Sequence, residues 1–173
     1  LLFTADPYSK VMDHNDKKTA TLFGDGATVT LLTEDPVFDF GKFVFGSDGS
    51  KKEGIIVRGD GHVHMNGRAV FTFTVRVIPN SIRKMLEKNV ITLENIDRFL
   101  LHQGSLHIVN TIADTLGVSR EKCPFYSANY GNTVSSSVPM ILAQEFNNQE
   151  MKVAVLAGFG VGLSWASTLI FRK

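Results

Sequence analysis

The sequence predicts an α/β fold of layered strands and helices. Residues 96–101, which end in the apolar triplet Phe99-Leu100-Leu101, read as a buried strand. Residues 105–116 place Leu106, Ile108, Val109, Ile112, Ala113 and Leu116 at helical spacing, and 133–146 reads as a second helix. The link Gly158-Phe159-Gly160-Val161-Gly162 between strands 152–157 and 163–171 is too short for a parallel crossover, so these two strands are expected to pair antiparallel.

Taken from the start, residues 1–3 read as the tail of a buried strand, and residues 8–18, with Asp13, His14, Asn15 and Asp16 clustered, as a polar loop. A strand over 19–23 is expected to enter the turn Gly24-Asp25-Gly26 and to leave it over 27–33 with β-branched residues. Aromatic alternation marks 38–45 as a strand, followed by turn-rich Gly46-Ser47-Asp48-Gly49-Ser50 and a short strand at 55–57. Phe71, Phe73, Val75 and Val77 alternate, and Pro79 should break a helix, so local pattern favours extended structure there. Residues 81–88 are helical in spacing, with Ile82, Met85 and Leu86 on one face. Thr92 stands as an N-cap three residues before Asn95, Gly117 supplies the stop after 105–116, and Asn147-Asn148 ends the helix that Gly131-Asn132 opens.

With 43% hydrophobic and 20% charged residues in 173, the composition is that of one globular domain with a well-filled core. A formal charge of +1 supplies no broad field for nucleic acid or an anionic membrane, and no run approaches the roughly 18 apolar residues of a membrane span. One cysteine, Cys123, forms no internal disulfide, and a cytoplasmic setting is expected. The chain opens at Leu1 inside an apolar run without an initiator Met, and is read as a piece of something longer.

The chemistry-bearing candidates are few. His102 lies where an apolar strand ends and a helix is about to begin, and Asn132 lies between Gly131 and a helix start. Alone, each is an ordinary strand-end or capping residue. Together they offer N–H donors to one oxygen, the arrangement that stabilises an enolate or a thioester oxyanion. The glycine loop at 158–162 is either a plain tight hairpin or a source of a third, backbone donor.

Leu101-His102-Gln103-Gly104-Ser105, Tyr130-Gly131-Asn132-Thr133 and Gly158-Phe159-Gly160-Val161-Gly162-Leu163-Ser164-Trp165, in that order, resemble the signature of ketoacyl-acyl-carrier-protein synthase III in the thiolase superfamily. Phe23-Gly24-Asp25-Gly26-Ala27, Gly46-Ser47-Asp48-Gly49-Ser50 and Met65-Asn66-Gly67-Arg68-Ala69-Val70-Phe71 resemble the same family, so the likeness covers nearly the whole chain. It implies a thiolase-like layered fold, of which this chain is the C-terminal half with a mixed five-stranded sheet flanked by helices. Residues 1–33 would end the N-terminal half and 34–173 would form the C-terminal half. It also implies a helix through Phe71–Val77 and on past a kink near Pro79 to about Lys88, against the local strand pattern.

The activity implied is condensation: a cysteine takes an acyl group from a coenzyme A thioester, and malonyl-acyl-carrier-protein is decarboxylated and joined to it, as in the initiation of fatty acid biosynthesis. His102 and Asn132 match the pair that holds the malonyl thioester oxygen, and the Val161 amide matches the oxyanion-hole donor of the glycine loop. Phe159 and Gly160 are candidate substrate-binding residues. The implied partners are acyl-CoA and acyl carrier protein, without nucleic acid or membrane, and the full-length protein is expected to be a homodimer. No metal and no cofactor beyond the thioester substrate is implied. The family's nucleophile lies ahead of the strand that residues 1–3 end, so this acyltransferase chain alone is expected to be inactive.

Two departures stand beside His102. The family motif usually reads His-Gln-Ala-Asn where this chain has Gly104 and Ser105, and His107 replaces an arginine associated with carrier-protein docking. These changes favour, as an alternative, a synthase III-like acyltransferase of secondary metabolism; a non-catalytic partner subunit whose complete chain also lacks the cysteine is a second alternative. The remaining candidates read as incidental: His62 and His64 lack a third metal ligand, Arg58-Gly59-Asp60 sits in a turn, and Cys123 sits in a connector before Pro124. Trp165 and Phe159 are expected to pack in the core.

Overall fold

The computed structural model describes residues 1–173. Strands β1 (Leu2–Asp6) and β2 (Gly26–Thr30) form a two-stranded antiparallel sheet, with Leu2 opposite Thr30 and Asp6 opposite Gly26. The segment between them departs from expectation, because 19–23 is not a strand. Asp16 caps a short helix, α1 (Lys17–Ala20), accepting from the Lys18 N–H and the Thr19 hydroxyl, and this local turn outweighs the β preference of Thr19 and Thr21. Phe23 alone stays extended, in a parallel bridge to Asn132.

The expected strand 38–45 is broken in two, β3 (Phe38–Phe40) and β4 (Val44–Ser47). Both pair with the same edge of β9 (Ser164–Arg172), Phe40 opposite Ile170 and Val44 opposite Ser167. The three residues between, opposed by two, make a bulge. Gly41 sits at that bulge because a Cβ there would come within 2.7 Å of Asn89 Oδ1 and 3.1 Å of Leu169 Cβ. Strands β5 (Ile55–Val57) and β6 (Val63–Met65) form a separate hairpin around the Arg58-Gly59-Asp60 turn.

Helix α2 (Gly67–Asn89) then runs unbroken through Pro79. The alternation of Phe71, Phe73, Val75 and Val77 misleads. The residues buried are Phe73, Thr74, Ile78, Pro79, Ser81, Ile82, Met85 and Leu86, a stripe at i, i+4 spacing that needs a helix. The proline has no N–H to offer Val75 O four residues back, and next to that gap the Asn80 side chain donates to Arg76 O at 2.9 Å.

Strand β7 (Arg98–Leu101), helix α3 (Leu106–Leu116), helix α4 (Ser137–Glu145) and strand β8 (Val153–Gly160) complete the chain up to β9. Two caps fall where the residues suggested, Gly117 with φ +77° and Thr92 donating to Asn95, while Ser105 proves to be the N-cap of α3 and not its first residue, accepting from the Ile108 N–H. Helix α4 starts later than expected, because residues 134–136 form a tight 3₁₀ turn. The glycine segment is also less of a loop than it reads, since Gly158, Phe159 and Gly160 continue β8 and pair with Ala166, Trp165 and Ser164.

The main sheet is mixed and five-stranded: β3 and β4 share one edge of β9, β9 and β8 are antiparallel, and β8 and β7 are parallel. Helices α2 and α3 cover one face through Phe99, Leu101, Val155 and Leu169. Helix α4 covers the other, with Ile141 against Leu100, Ala154 and Ile170. Each of the larger side chains among these, fully withdrawn from water, contributes about 1.5–3 kcal/mol, and alternate residues of β7 anchor opposite layers. Strands β1 and β2 belong to neither layer, and leave Leu1, Leu2, Phe3, Val29, Leu31 and Leu32 exposed.

Candidate active site

His102 follows directly on β7. Its N–H continues the parallel ladder by donating to Ala157 O at 2.8 Å. The next side chain, Gln103, is fully buried. It donates to Leu101 O at 2.9 Å and accepts from the Tyr126 N–H at 3.0 Å, which fixes where the strand ends and the chain turns toward α3. The His102 ring meets the Phe159 ring edge to face at 5.1 Å, and its Nδ1 lies 2.6 Å from Ser137 Oγ. Burial pushes the imidazole pKa down to about 4, only partly offset by a backbone hydrogen bond to Val134. His102 is therefore neutral at neutral pH.

Asn132 is held by its backbone on both sides. Its N–H donates to Leu22 O at 2.8 Å and its carbonyl accepts from the Gly24 N–H at 3.0 Å. That approach requires glycines: a Cβ on Gly24 would lie 1.8 Å from Tyr130 O, and Gly131 adopts φ +76°. The side-chain Oδ1 accepts from the Val134 N–H at 2.9 Å, which orients the amide so that its two Nδ2 hydrogens are uncommitted. Val134 takes φ +53°, an unusual conformation for a β-branched residue, at this turn beside both side chains.

Two cavities meet here. A narrow enclosed one runs between α2, α3 and the β8–β9 hairpin, lined further by Met65, Val70, Phe73, Gly104 and Leu163. An open cleft of about 500 Å³ lies on the other side, bounded by Tyr8, Ser135, Val138, Val161 and Trp165. Phe23, Ile55, His102, Asn132, Phe159 and Gly160 line both. The structure thus brings together four of the five residues singled out from sequence at the junction. The fifth, Val161, stands at the hairpin turn and borders only the open cleft, with its side chain half exposed and its carbonyl accepting from Ser164 Oγ at 2.6 Å.

Sequence reasoning missed Ser137 and Phe23. Nothing local separates Ser137 from Ser135 and Ser136, and Phe23 gains its place only through the bridge to Asn132, a contact over more than a hundred residues. The residues beside His102 are accommodated simply. A methyl on Gly104, as in the family motif, would sit at an ordinary 3.5 Å from His102 Nε2, and Ser105 serves as the α3 cap. His107 stacks flat on Phe71, centroids 4.8 Å apart, on the outer side of α2 and α3. Cys123 is buried in the main core and its thiol is pushed up to about 12 by burial, the opposite of an activated nucleophile. His64 pairs with Asp60 at 2.7 Å on the β5–β6 hairpin, away from the junction.

Comparison with known proteins bears on the family and the fold. A family model described as 3-oxoacyl-[acyl-carrier-protein (ACP)] synthase III matches residues 1–49, and the model of its C-terminal region matches residues 86–171. A beta-ketoacyl-[acyl-carrier-protein] synthase III of Clostridium perfringens is 35% identical over 188 residues, covering 98% of this chain and 58% of the relative. That of Staphylococcus aureus is 37% identical over 177 residues, covering 98% and 56%. Among solved structures, the synthase III of Thermus thermophilus superposes with TM-score 0.87 at 31% identity, over 99% of this chain and 58% of that one. The Aquifex aeolicus VF5 enzyme superposes with TM-score 0.89 at 29% identity, over 98% and 56%. The chain thus spans a little over half the length of the relatives it matches. The fold is thiolase-like, and the chain belongs to the 3-oxoacyl-[acyl-carrier-protein] synthase III family.

Proposed function

We propose that this chain carries the decarboxylating half of a condensing-enzyme site, in a protein that joins an acyl group from acyl-CoA to malonyl-acyl-carrier-protein. The observation that carries the proposal is the meeting of a neutral His102 imidazole and an oriented, donor-side-out Asn132 amide on one largely apolar cavity. A malonyl thioester whose carbonyl oxygen accepts from His102 Nε2–H and Asn132 Nδ2–H can lose carbon dioxide. The carbon–carbon bond to the carboxylate breaks, its electron pair becomes the enolate, and the two donors hold the negative oxygen. The enolate carbon then attacks the acyl thioester on the protein's cysteine, and the thiolate leaves. The Val161 N–H is proposed to stabilise the tetrahedral oxyanion of that transfer, and Phe159 and Gly160 to shape the thioester's path.

A neutral histidine suits this role, because it donates without needing to gain or lose a proton during decarboxylation. Cys123 is unsuited to be the acyl acceptor, so the chain by itself is proposed to be inactive in acyl transfer. The separate β1–β2 sheet supports a division near residue 33 between the end of one thiolase half and the start of the next. The reading calls for no metal or organic cofactor, for a cytoplasmic protein, and for a full-length homodimer. No helix is long and apolar enough to cross a membrane.

A second reading, acylation or priming in secondary metabolism, is favoured by His107 in the place of a docking arginine. It is supported by the likeness to a priming beta-ketosynthase from the R1128 polyketide pathway, 27% identical with TM-score 0.83. The test is carbon dioxide release from malonyl-acyl-carrier-protein by the full-length protein. His102→Ala and Asn132→Ala are each expected to lower it about 100-fold or more, with transfer of the acyl group from acyl-CoA to the protein retained. Release that is insensitive to both substitutions refutes the proposal.

A further inference from the structure

Ser137 is the first residue of α4 and is fully buried, and its Oγ lies 2.6 Å from His102 Nδ1. A hydroxyl has one proton to give. Its other neighbour is the Gln103 backbone N–H, at a long 3.5 Å, which can only donate to it. His102 Nδ1 is thus the acceptor within reach of the serine proton. We infer that Ser137 is a positioning residue that fixes the His102 tautomer: Ser137 Oγ–H donates to Nδ1, so the imidazole carries its proton on Nε2 and presents a donor to the cavity.

The Val134 backbone is a rival acceptor for an Nδ1–H, and set against it the opposite tautomer carries two costs. Nδ1–H would donate to Ser137 Oγ, and the serine proton would then be buried without a partner. Nε2 would turn a lone pair toward the cavity, where it would repel a developing oxyanion. The serine is placed by structure far from His102 in sequence. The 3₁₀ turn over Val134–Ser136 sets the start of α4, and Asp6 binds that turn by accepting from the Ser135 N–H at 3.0 Å. Asn132 is oriented by the same turn, through the Val134 N–H. One turn therefore aims both donors, with Ser137 acting on the histidine and Val134 on the asparagine.

The consequence for decarboxylation rests on the function proposed above, whereas the tautomer does not, so the two are tested apart. Full-length protein labelled with ¹⁵N-histidine is examined at neutral pH by long-range ¹H–¹⁵N correlation, which distinguishes the two ring nitrogens. We expect His102 as the neutral Nε2–H form. In Ser137→Ala the spectrum should move toward the Nδ1–H form, and decarboxylation of malonyl-acyl-carrier-protein should fall at least about tenfold, with acyl loading from acyl-CoA unchanged. Ser137→Thr, which keeps the hydroxyl, should restore both. An Nδ1–H form in the unsubstituted protein, directed at the Val134 backbone, overturns the inference, as does a Ser137→Ala protein with tautomer and decarboxylation both unaltered. A tautomer that responds to Ser137→Ala in a protein with no decarboxylation at all upholds the positioning role and sinks the function instead.

Discussion

Replacing Gly24 by alanine should damage the site without touching either donor. The added Cβ would lie 1.8 Å from Tyr130 O and 3.0 Å from Tyr130 C, both backbone atoms, so no side-chain rotation relieves the contact. The chain around Phe23 must move away from Tyr130–Asn132. That motion strains two hydrogen bonds, Asn132 N–H to Leu22 O at 2.8 Å and Gly24 N–H to Asn132 O at 3.0 Å. Overpacking of a tight site costs about 1–3 kcal/mol, and each bond contributes about 0.5–1.5 kcal/mol net. We expect Gly24→Ala to lower the unfolding free energy of the full-length protein by about 2–4 kcal/mol, read from the urea midpoint at unchanged slope. Decarboxylation of malonyl thioester should fall by more than acyl loading does, because Asn132 moves with the bridge. A variant with the midpoint and the decarboxylation rate of the parent would refute the claim that this backbone contact holds Asn132.

Three further outcomes are expected. For His102 the folded-state pKa is below the ordinary 6.5, at about 4, so between those values the unfolded chain binds a proton that the folded chain refuses. Its contribution to stability is fully present above about pH 6.5 and is lost as pH falls toward 4, up to about 3 kcal/mol in all. Urea midpoints that are flat from pH 6.5 to 4 in the parent, or equally steep in His102→Phe, would contradict this. Cys123 should resist iodoacetamide in the native protein at pH 8 and react on unfolding, given its buried thiol with pKa pushed up to about 12; rapid native labelling counts against that burial. Phe99→Ala should destabilise by about 3–5 kcal/mol, as for other fully buried aromatics, and a shift under 1 kcal/mol would mean that β7 is not the centre of the main core.

What could be read locally was whatever depends on neighbours a few residues apart. Gly117 after α3 and Thr92 with Asn95 are short-range hydrogen-bonding arrangements, and they form as the residues suggest. The β8–β9 hairpin follows from link length. His102 and Asn132 were legible as residues at element ends, and three ordered motifs gave them a family context that neither has alone.

Tertiary structure decided the rest. The alternating pattern at Phe71–Val77 is compatible with a strand, but α2 must cover the long face of the sheet, and only a helix carries Phe73, Ile78, Ile82 and Met85 onto it together. Thr19 to Phe23 reads as a strand until Asp16 caps α1 and the one extended residue, Phe23, finds its partner in Asn132. The hydrogen bond from Ser137 to His102 spans thirty-five positions and left no mark in composition or spacing. Local sequence thus determined the caps and the hairpin and singled out the two candidate donors. How those donors are aimed was set by contacts between distant segments, because a side chain's direction depends on the backbone packed behind it.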